Sequence, residues 1–273
     1  VGAAENLGAI GWPQARIGTV TIDVLTQGAV LGTAGDALAG RVPPTVLASA
    51  NLDHIHHFAG AAPVLPTGIA DGIQWLTLLD GRPVVNAVSR RAGGPRPPAL
   101  PGSELLAPVL DLAAARGARV ALVGGGAATR AYWRDVLPGR LPGLVMSGVW
   151  PVQWADLDRP GGGGSLARDV AATRPDLLVV SLGKPRQELW LHDHMVSTGA
   201  KLALPFGSAI DYVAGTAQRP PAWASRIGAE WLVRLARDPR RLGRRYLVHG
   251  PPAPLRVRRD LRVVTPGQAA DRG

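Results

Sequence analysis

At 273 residues, 46% of them hydrophobic, the chain is long enough for one large α/β domain or two small ones and too apolar to stay disordered. It contains no cysteine and no run of about 18 uncharged apolar residues, which argues against disulfides, thiolate metal sites and a membrane-spanning helix. The formal charge of +10 rests almost wholly on arginine, since Lys184 and Lys201 are its lysines, and the arginines gather after Arg219, a distribution suited to phosphates on nucleotides, nucleic acid or an anionic membrane.

The first residues lack a basic segment followed by an apolar run, so no signal peptide is expected. IGTVTID reads as a short strand and VLTQGAVLGTAGDALA as the helix after it. TVLASANLDHIHHFAG reads as strand, turn and helix, and APVLPTGIADGIQWLTLLDG as a short strand leading into a helix. Residues 81–102, rich in Pro, Gly and Arg, read as a mobile surface loop. SELLAPVLDLAAARG is helical in period with Ser103 as its cap. ARVALVGGGAATRAYWRDVL is a buried strand, a glycine turn and a helix. A weak strand near 144–149 runs into a PGGGGS loop, and LARDVAATRPDLLVVSLGKPRQELWLHDHMVSTGA reads as helix, strand, turn, helix. KLALPFGSAIDYVAG adds a strand and turn.

This alternation predicts an α/β fold, a Rossmann-like parallel sheet flanked by helices. The expected division is 1–214 for that domain, 215–262 for a basic, arginine-rich helical C-terminal appendage, and 263–273 for a disordered tail. Within the appendage Trp223, Ile227, Trp231 and Leu235 recur every four residues as an apolar stripe. The stripe suits three uses: packing on the domain, forming a homo-oligomer interface, or lying on an anionic bilayer.

Ligands of a doubly wound sheet sit at the carboxyl ends of its strands, and four such junctions carry polar or glycine-rich loops. Gly124, Gly125 and Gly126 let a phosphate approach the backbone, or make a tight turn; they form neither a full GxGxxG nor a P-loop. Ser49 and Asn51 in SANLDHIHHF suit sugar binding or helix capping. His54, His56 and His57 do not share one face, so no metal site is expected there. Asp71, in IADGIQW, is read at a helix start, either as an N-cap or as a general base whose pKa a partly dry cleft raises. In SLGKPRQELW, Lys184 and Arg186 suit a diphosphate, Gln187 a sugar or phosphate oxygen and Glu188 a first helical turn. The alternative there is a plain turn with solvated charges.

These blocks together resemble the WecG/TagA/CpsF glycosyltransferases over about residues 20–246. SANLDHI is similar to that family's Thr-x-Asn-x-x-His segment, with Ser49 for threonine, and IADGIQW to its Asp-Gly block. PDLLVVSLGKPRQELW is similar to its Gly-x-Pro-x-Gln-Glu signature. The stretch from FGSAIDYVAG to RRLGRRYL is similar to its C-terminal block, including Asp211, Gly215, Arg219, Trp223, Glu230, Trp231, Arg234, Arg240 and Tyr246. The resemblance implies an inverting, metal-independent transferase without a cofactor. Such an enzyme moves an N-acetylmannosamine-type sugar from a UDP-sugar donor to a polyprenyl-diphosphate-linked sugar in cell-surface polysaccharide synthesis. It implies a cytoplasmic protein, peripheral on the inner face of the plasma membrane, whose C-terminal segment closes over the site. With the residue reading, it nominates Asp71, Ser49 and Gln187 for catalysis, with Asp71 as the base. It nominates Asn51, Gly124, Gly125, Gly183, Glu188, Asp211, Arg219, Arg234 and Arg240 for substrate binding.

Three features depart from the family pattern. Ala99 and Glu104 stand where an arginine and an aspartate are usual, GVWPVQW stands near the place of a Gly-Tyr-Phe-like segment, and residues 81–102 are unusually rich in Pro and Gly. The nucleotide sugar is therefore left open, and so is the choice between a lipid-linked and a soluble small-molecule acceptor. A basic membrane- or nucleic-acid-binding module without catalysis is the reading of a different class. Nucleic acid is not expected, because no binding motif occurs and the tryptophans fall at helical spacing rather than on a stacking platform.

Overall fold

Alternate residues of the central strands point into different cores, and this alternation explains how the sheet is covered. The computed structural model of the protein describes residues 13–93, 95–218, 230–237, 243 and 252–264. In chain order the strands are β1 (Gln14–Ile17), β2 (Val20–Asp23), β3 (Thr45–Ala50), β4 (Gly68–Ala70), β5 (Ile73–Leu79), β6 (Arg119–Gly124), β7 (Val145–Trp150), β8 (Leu177–Ser181), β9 (Leu202–Leu204) and β10 (Leu261–Val264). They form one sheet in the order β10-β1-β2-β5-β3-β9-β8-β6-β7, with β4 paired to β5 outside that path. From β2 to β7 all neighbours are parallel; β1, β4 and β10 join antiparallel.

The helices are α1 (Gln27–Leu38), α2 (Leu52–Phe58), α3 (Arg82–Ala92), α4 (Gly102–Ala114), α5 (Ala127–Ala131), α6 (Leu137–Arg140), α7 (Trp154–Leu157), α8 (Gly162–Ala172), α9 (Arg186–Thr198) and α10 (Ala209–Val213), followed by helical segments Glu230–Arg237 and Pro252–Asp260. Leu47, Val120, Leu122, Leu177 and Val179 point to one core with buried residues of α1 and α4. Val46, Ala121, Val123, Leu178 and Val180 point the other way, to α8 and α9. Such period-two alternation of fully apolar strands is what a parallel sheet covered on both faces requires. A further core joins β1 and β2 to α2, α3 and the Pro252–Asp260 helix through Ile17, Ile22, Phe58, Val88 and Val257.

Several segments differ from their sequence reading. IGTVTID is not one strand but part of the β1–β2 hairpin. The IADGIQW region is also a hairpin, not a strand leading into a helix. Asp71 and Gly72 both have positive φ, 51° and 76°, and join β4 to β5 as a two-residue turn. Residues 82–92 of the expected loop are helix α3. Pro83 suits its first turn, Val84, Val85 and Val88 are buried on one side, and Gly93 ends it in a left-handed conformation. Helix α4 starts at Gly102 behind Pro101, so Ser103 lies inside its first turn rather than at the cap. The PGGGGS stretch starts helix α8. A Cβ on Gly163 would sit 2.6 Å from His194 Nε2, so the glycine allows α8 and α9 to pack closely.

The expected boundary at 262/263 falls inside β10, which pairs with β1 from Gln14↔Val264 to Ile17↔Leu261. The stripe residues Trp223 and Ile227 lie outside the described residues, as does the side chain of Trp231. Among the described residues, no helix is long and apolar enough to cross a membrane.

Gly124 ends β6 with φ 89°, and a Cβ there would lie 2.2 Å from the Ser181 carbonyl oxygen. Gly124→Ala should therefore destabilise the protein by about 2 kcal/mol or more. Gly126, where a Cβ meets nothing within 4 Å, is the control. Urea denaturation should separate the two variants clearly, with Gly126→Ala close to wild type.

Candidate active site

The register of β3 and β5 builds the centre of the site. Ser49 pairs with Leu78 and Ala50 with Leu79, so the next residues, Asn51 and Asp80, leave the sheet side by side. Asn51 Nδ2 donates to Asp80 Oδ2 at 3.2 Å. Its Oδ1 accepts from the His54 backbone N–H at 3.1 Å and caps α2. The amide thus fixes both the start of a helix and the orientation of a carboxylate. Asp80 is half-buried, and Gly81 follows it as the N-cap of α3.

Next in the sheet come the ends of β9 and β8. Gln187 is buried; its Nε2 donates to the Pro205 carbonyl at 2.5 Å and to Glu188 Oε1 at 3.1 Å. Among the described residues its Oε1 has no hydrogen-bond partner, and it lies next to Gly207. Glu188 has no solvent exposure and forms an ion pair with Lys184. Lys184 also donates to the Ser49 carbonyl at 3.1 Å and to His54 Nδ1 at 3.3 Å. Because an ammonium can only donate, Nδ1 of His54 is the acceptor and its ring proton sits on Nε2. Burial first, then the Lys184 cation and His57, hold His54 well below the usual histidine pKa, so the ring is neutral.

Lys184 and Arg186, whose charge suggested a diphosphate, both have partners within the protein. Lys184 is enclosed, and Arg186 stacks 4.4 Å over the Trp154 ring and pairs with Asp158 at 3.3 Å. Glu188 is wholly buried and does not reach the surface. Gly183 is exposed with φ 74°, and a Cβ there would meet nothing within 4 Å, so the backbone is open to a ligand.

The glycine turn at the end of β6 completes the row. Gly124 packs on the Ser181 carbonyl and Gly125 on Ile210, so both are needed by packing as well as by any ligand. Asp211 accepts from Thr129 Oγ1 at 2.7 Å and Thr129 contacts Thr216 Oγ1 at 2.8 Å, which ties α10 to α5 below this turn. Arg130 donates to the Gly125 carbonyl and supplies a half-buried cation that the sequence reading missed. One strand further, Val123 pairs with Trp150, and the end of β7 opens into a cleft of about 420 Å³. Trp150, Val152, Gln153, Asp156, Ser165 and Leu166 are among its walls.

Asp71 does not join this assembly. It is exposed at the turn before β5, whereas the other residues follow the strands. Six residue steps of β5, about 20 Å, separate the two ends. A second Asp-Gly pair, Asp80–Gly81, stands where Asp71 was expected, and a proline in the first turn of the following helix was the sequence signal for it. Arg219 and Arg240 lie outside the described residues, as does the side chain of Arg234. Among the described residues, no three His, Cys, Asp or Glu side chains converge as a metal cluster would.

The profile of the Glycosyl transferase WecG/TagA/CpsF family matches residues 15–265. The chain belongs to this family. Among curated relatives of this WecG/TagA/CpsF member are proteins named N-acetylglucosaminyldiphosphoundecaprenol N-acetyl-beta-D-mannosaminyltransferase. That of Bacillus spizizenii is 29% identical over 178 residues, 65% of this chain and 62% of the relative. That of Staphylococcus aureus strain MRSA252 is 27% identical over 165 residues, 60% and 62% of the two chains. The Bacillus subtilis strain 168 protein is 32% identical over 74 residues, 27% and 29%. The chain thus spans less than two thirds of the length of these WecG/TagA/CpsF relatives.

Neutral His54 has a consequence for stability. The unfolded chain takes up a proton at residue 54 near pH 6.5, and the folded chain does so only at much lower pH. Its contribution is full above that pH and is lost as pH falls towards the folded value, at up to about 1.4 kcal/mol per pH unit. His54→Gln, whose amide oxygen still accepts from Lys184, removes this slope. Chemical denaturation at pH 7.5 and 5.5 should show wild type losing stability relative to the variant at the acid pH.

Proposed function

We propose that the protein is an inverting glycosyltransferase that moves an N-acetylhexosamine from a nucleoside-diphosphate donor to a polyprenyl-diphosphate-linked sugar. UDP-N-acetylmannosamine is the first donor to try. The observation that carries the reading is Asp80, a half-buried carboxylate held by Asn51 in one row with Gln187, Gly183 and the Gly124–Gly125 turn. The names of the relatives support the sugar and the lipid-linked acceptor.

The row has the right length for such a donor. From β7 to β9 there are three strand spacings, about 14 Å, with β3 and β5 beyond them. In this arrangement the nucleoside occupies the cleft at β7 and the diphosphate crosses Gly124–Gly125 beside Arg130. The sugar then lies over Gly183 and Gln187. The acceptor hydroxyl comes from the β5 side, and Asp80 takes its proton as the oxygen attacks the anomeric carbon. The bond to the diphosphate breaks on the opposite face, the nucleoside diphosphate leaves with the electron pair, and the anomeric centre inverts. Arg130 meets the charge that develops on the leaving group. A peripheral position on an anionic bilayer fits the Pro252–Asp260 helix, where Leu255 is 70% exposed among Arg256, Arg258 and Arg259.

Product analysis by mass spectrometry, with nucleotide sugars and a short-chain polyprenyl-diphosphate acceptor, tests the reading. Transfer only to soluble acceptors would reject the lipid-linked acceptor, and no transfer from any donor would reject the activity. Asp80→Asn should lower kcat by about 100-fold or more. Asp71→Asn should keep near-wild-type turnover; the reverse ranking would return the role of base to Asp71.

A further inference from the structure

We infer that Lys184 is a positioning residue for the transfer reaction: it locks the Ser49–His54 turn from which Asn51 holds Asp80. The inference rests on the reading of Asp80 as base. Lys184 leaves the end of β8, crosses the end of short β9 and reaches the end of β3 and the start of α2. Its side chain is 7% exposed and that of Glu188 is wholly buried. An ammonium has three protons, and all three have acceptors here: the Ser49 carbonyl, His54 Nδ1 and Glu188 Oε1. None remains for a substrate.

The two acceptors other than Glu188 bracket Asn51. One is the backbone two residues before it and the other is the side chain three residues after it. Between them, Asn51 uses Oδ1 on the His54 N–H and Nδ2 on Asp80. Lys184 therefore holds both ends of the turn whose middle residue orients the carboxylate. Glu188 balances the charge of this enclosed cation.

A structural ion pair alone and a positioning device give different results in three variants: Lys184→Met, Glu188→Gln and the two combined. Lys184→Met leaves a buried carboxylate without its partner, so a large fall in Tm is expected and is not diagnostic by itself. The double variant removes both charges and should regain most of the Tm. It still lacks a donor for the Ser49 carbonyl and for His54. Its kcat should therefore stay at least 10-fold below wild type, with UDP affinity measured by calorimetry changed less than 3-fold. Amide hydrogen exchange in peptides covering residues 49–58 should be at least 10-fold faster than in wild type. If the double variant recovers kcat and slow exchange together with Tm, Lys184 does no more than balance Glu188 and the inference is overturned. Should the wild-type protein transfer no sugar, the reading of Asp80 fails. Exchange in 49–58 then decides by itself whether Lys184 holds the turn.

Discussion

Two parallel strands that end level make this site. Because β3 and β5 pair residue for residue through Ala50 and Leu79, the side chains of Asn51 and Asp80 meet just above the sheet. A slip of one residue in that register would turn alternate side chains to the wrong face and separate the pair. The buried alternation of Leu47 and Val46 fixes the register, since each points into a different core. The stability of the two cores and the geometry of the carboxylate are thus one constraint.

Much of this was legible in the sequence. Apolar runs followed by glycine or small polar residues marked β3, β6 and β8, and the order of strands and helices called for a parallel sheet. What misled was local composition. Asp71–Gly72 and Asp80–Gly81 look alike as dipeptides, but the first lies between two apolar runs and makes a hairpin turn with positive φ at both residues. The second precedes Arg82–Pro83 and opens a helix. Residues 82–92 looked like a loop because proline and arginine surround them, yet three valines on one side were enough to bury a helix. The glycines of α8 looked flexible, yet Gly163 packs closely against His194 and Trp190, and Gly162 against the Asp156 carbonyl.

Charge was the least legible quantity. Lys184 and Arg186 sit two residues apart, and both have partners within the protein. One is taken up by three acceptors inside the protein; the other, half-exposed, stacks on an indole ring and pairs with Asp158. Removing one member of a buried pair such as Lys184–Glu188 typically costs about 3–5 kcal/mol, because the remaining charge is stranded. The i,i+4 spacing of the pair is local, but its enclosure depends on Lys184 meeting Ser49 and His54 across more than a hundred residues of chain, which the sequence does not display.

The pairing of β10 with β1 changes what the arginine-rich segment is. Both α10 and the Pro252–Asp260 helix pack into the cores of the sheet, so described, packed elements lie on either side of the arginine-rich segment in sequence. Genetic dissection must respect this. Trimming the chain back past Val264 removes β10 before it reaches the arginines and leaves the hydrogen-bonding edge of β1 open to other chains. Defects of such truncations would then report a frayed sheet and aggregation rather than the loss of arginines, whereas an internal excision that keeps residues 252–264 would isolate the segment's own contribution.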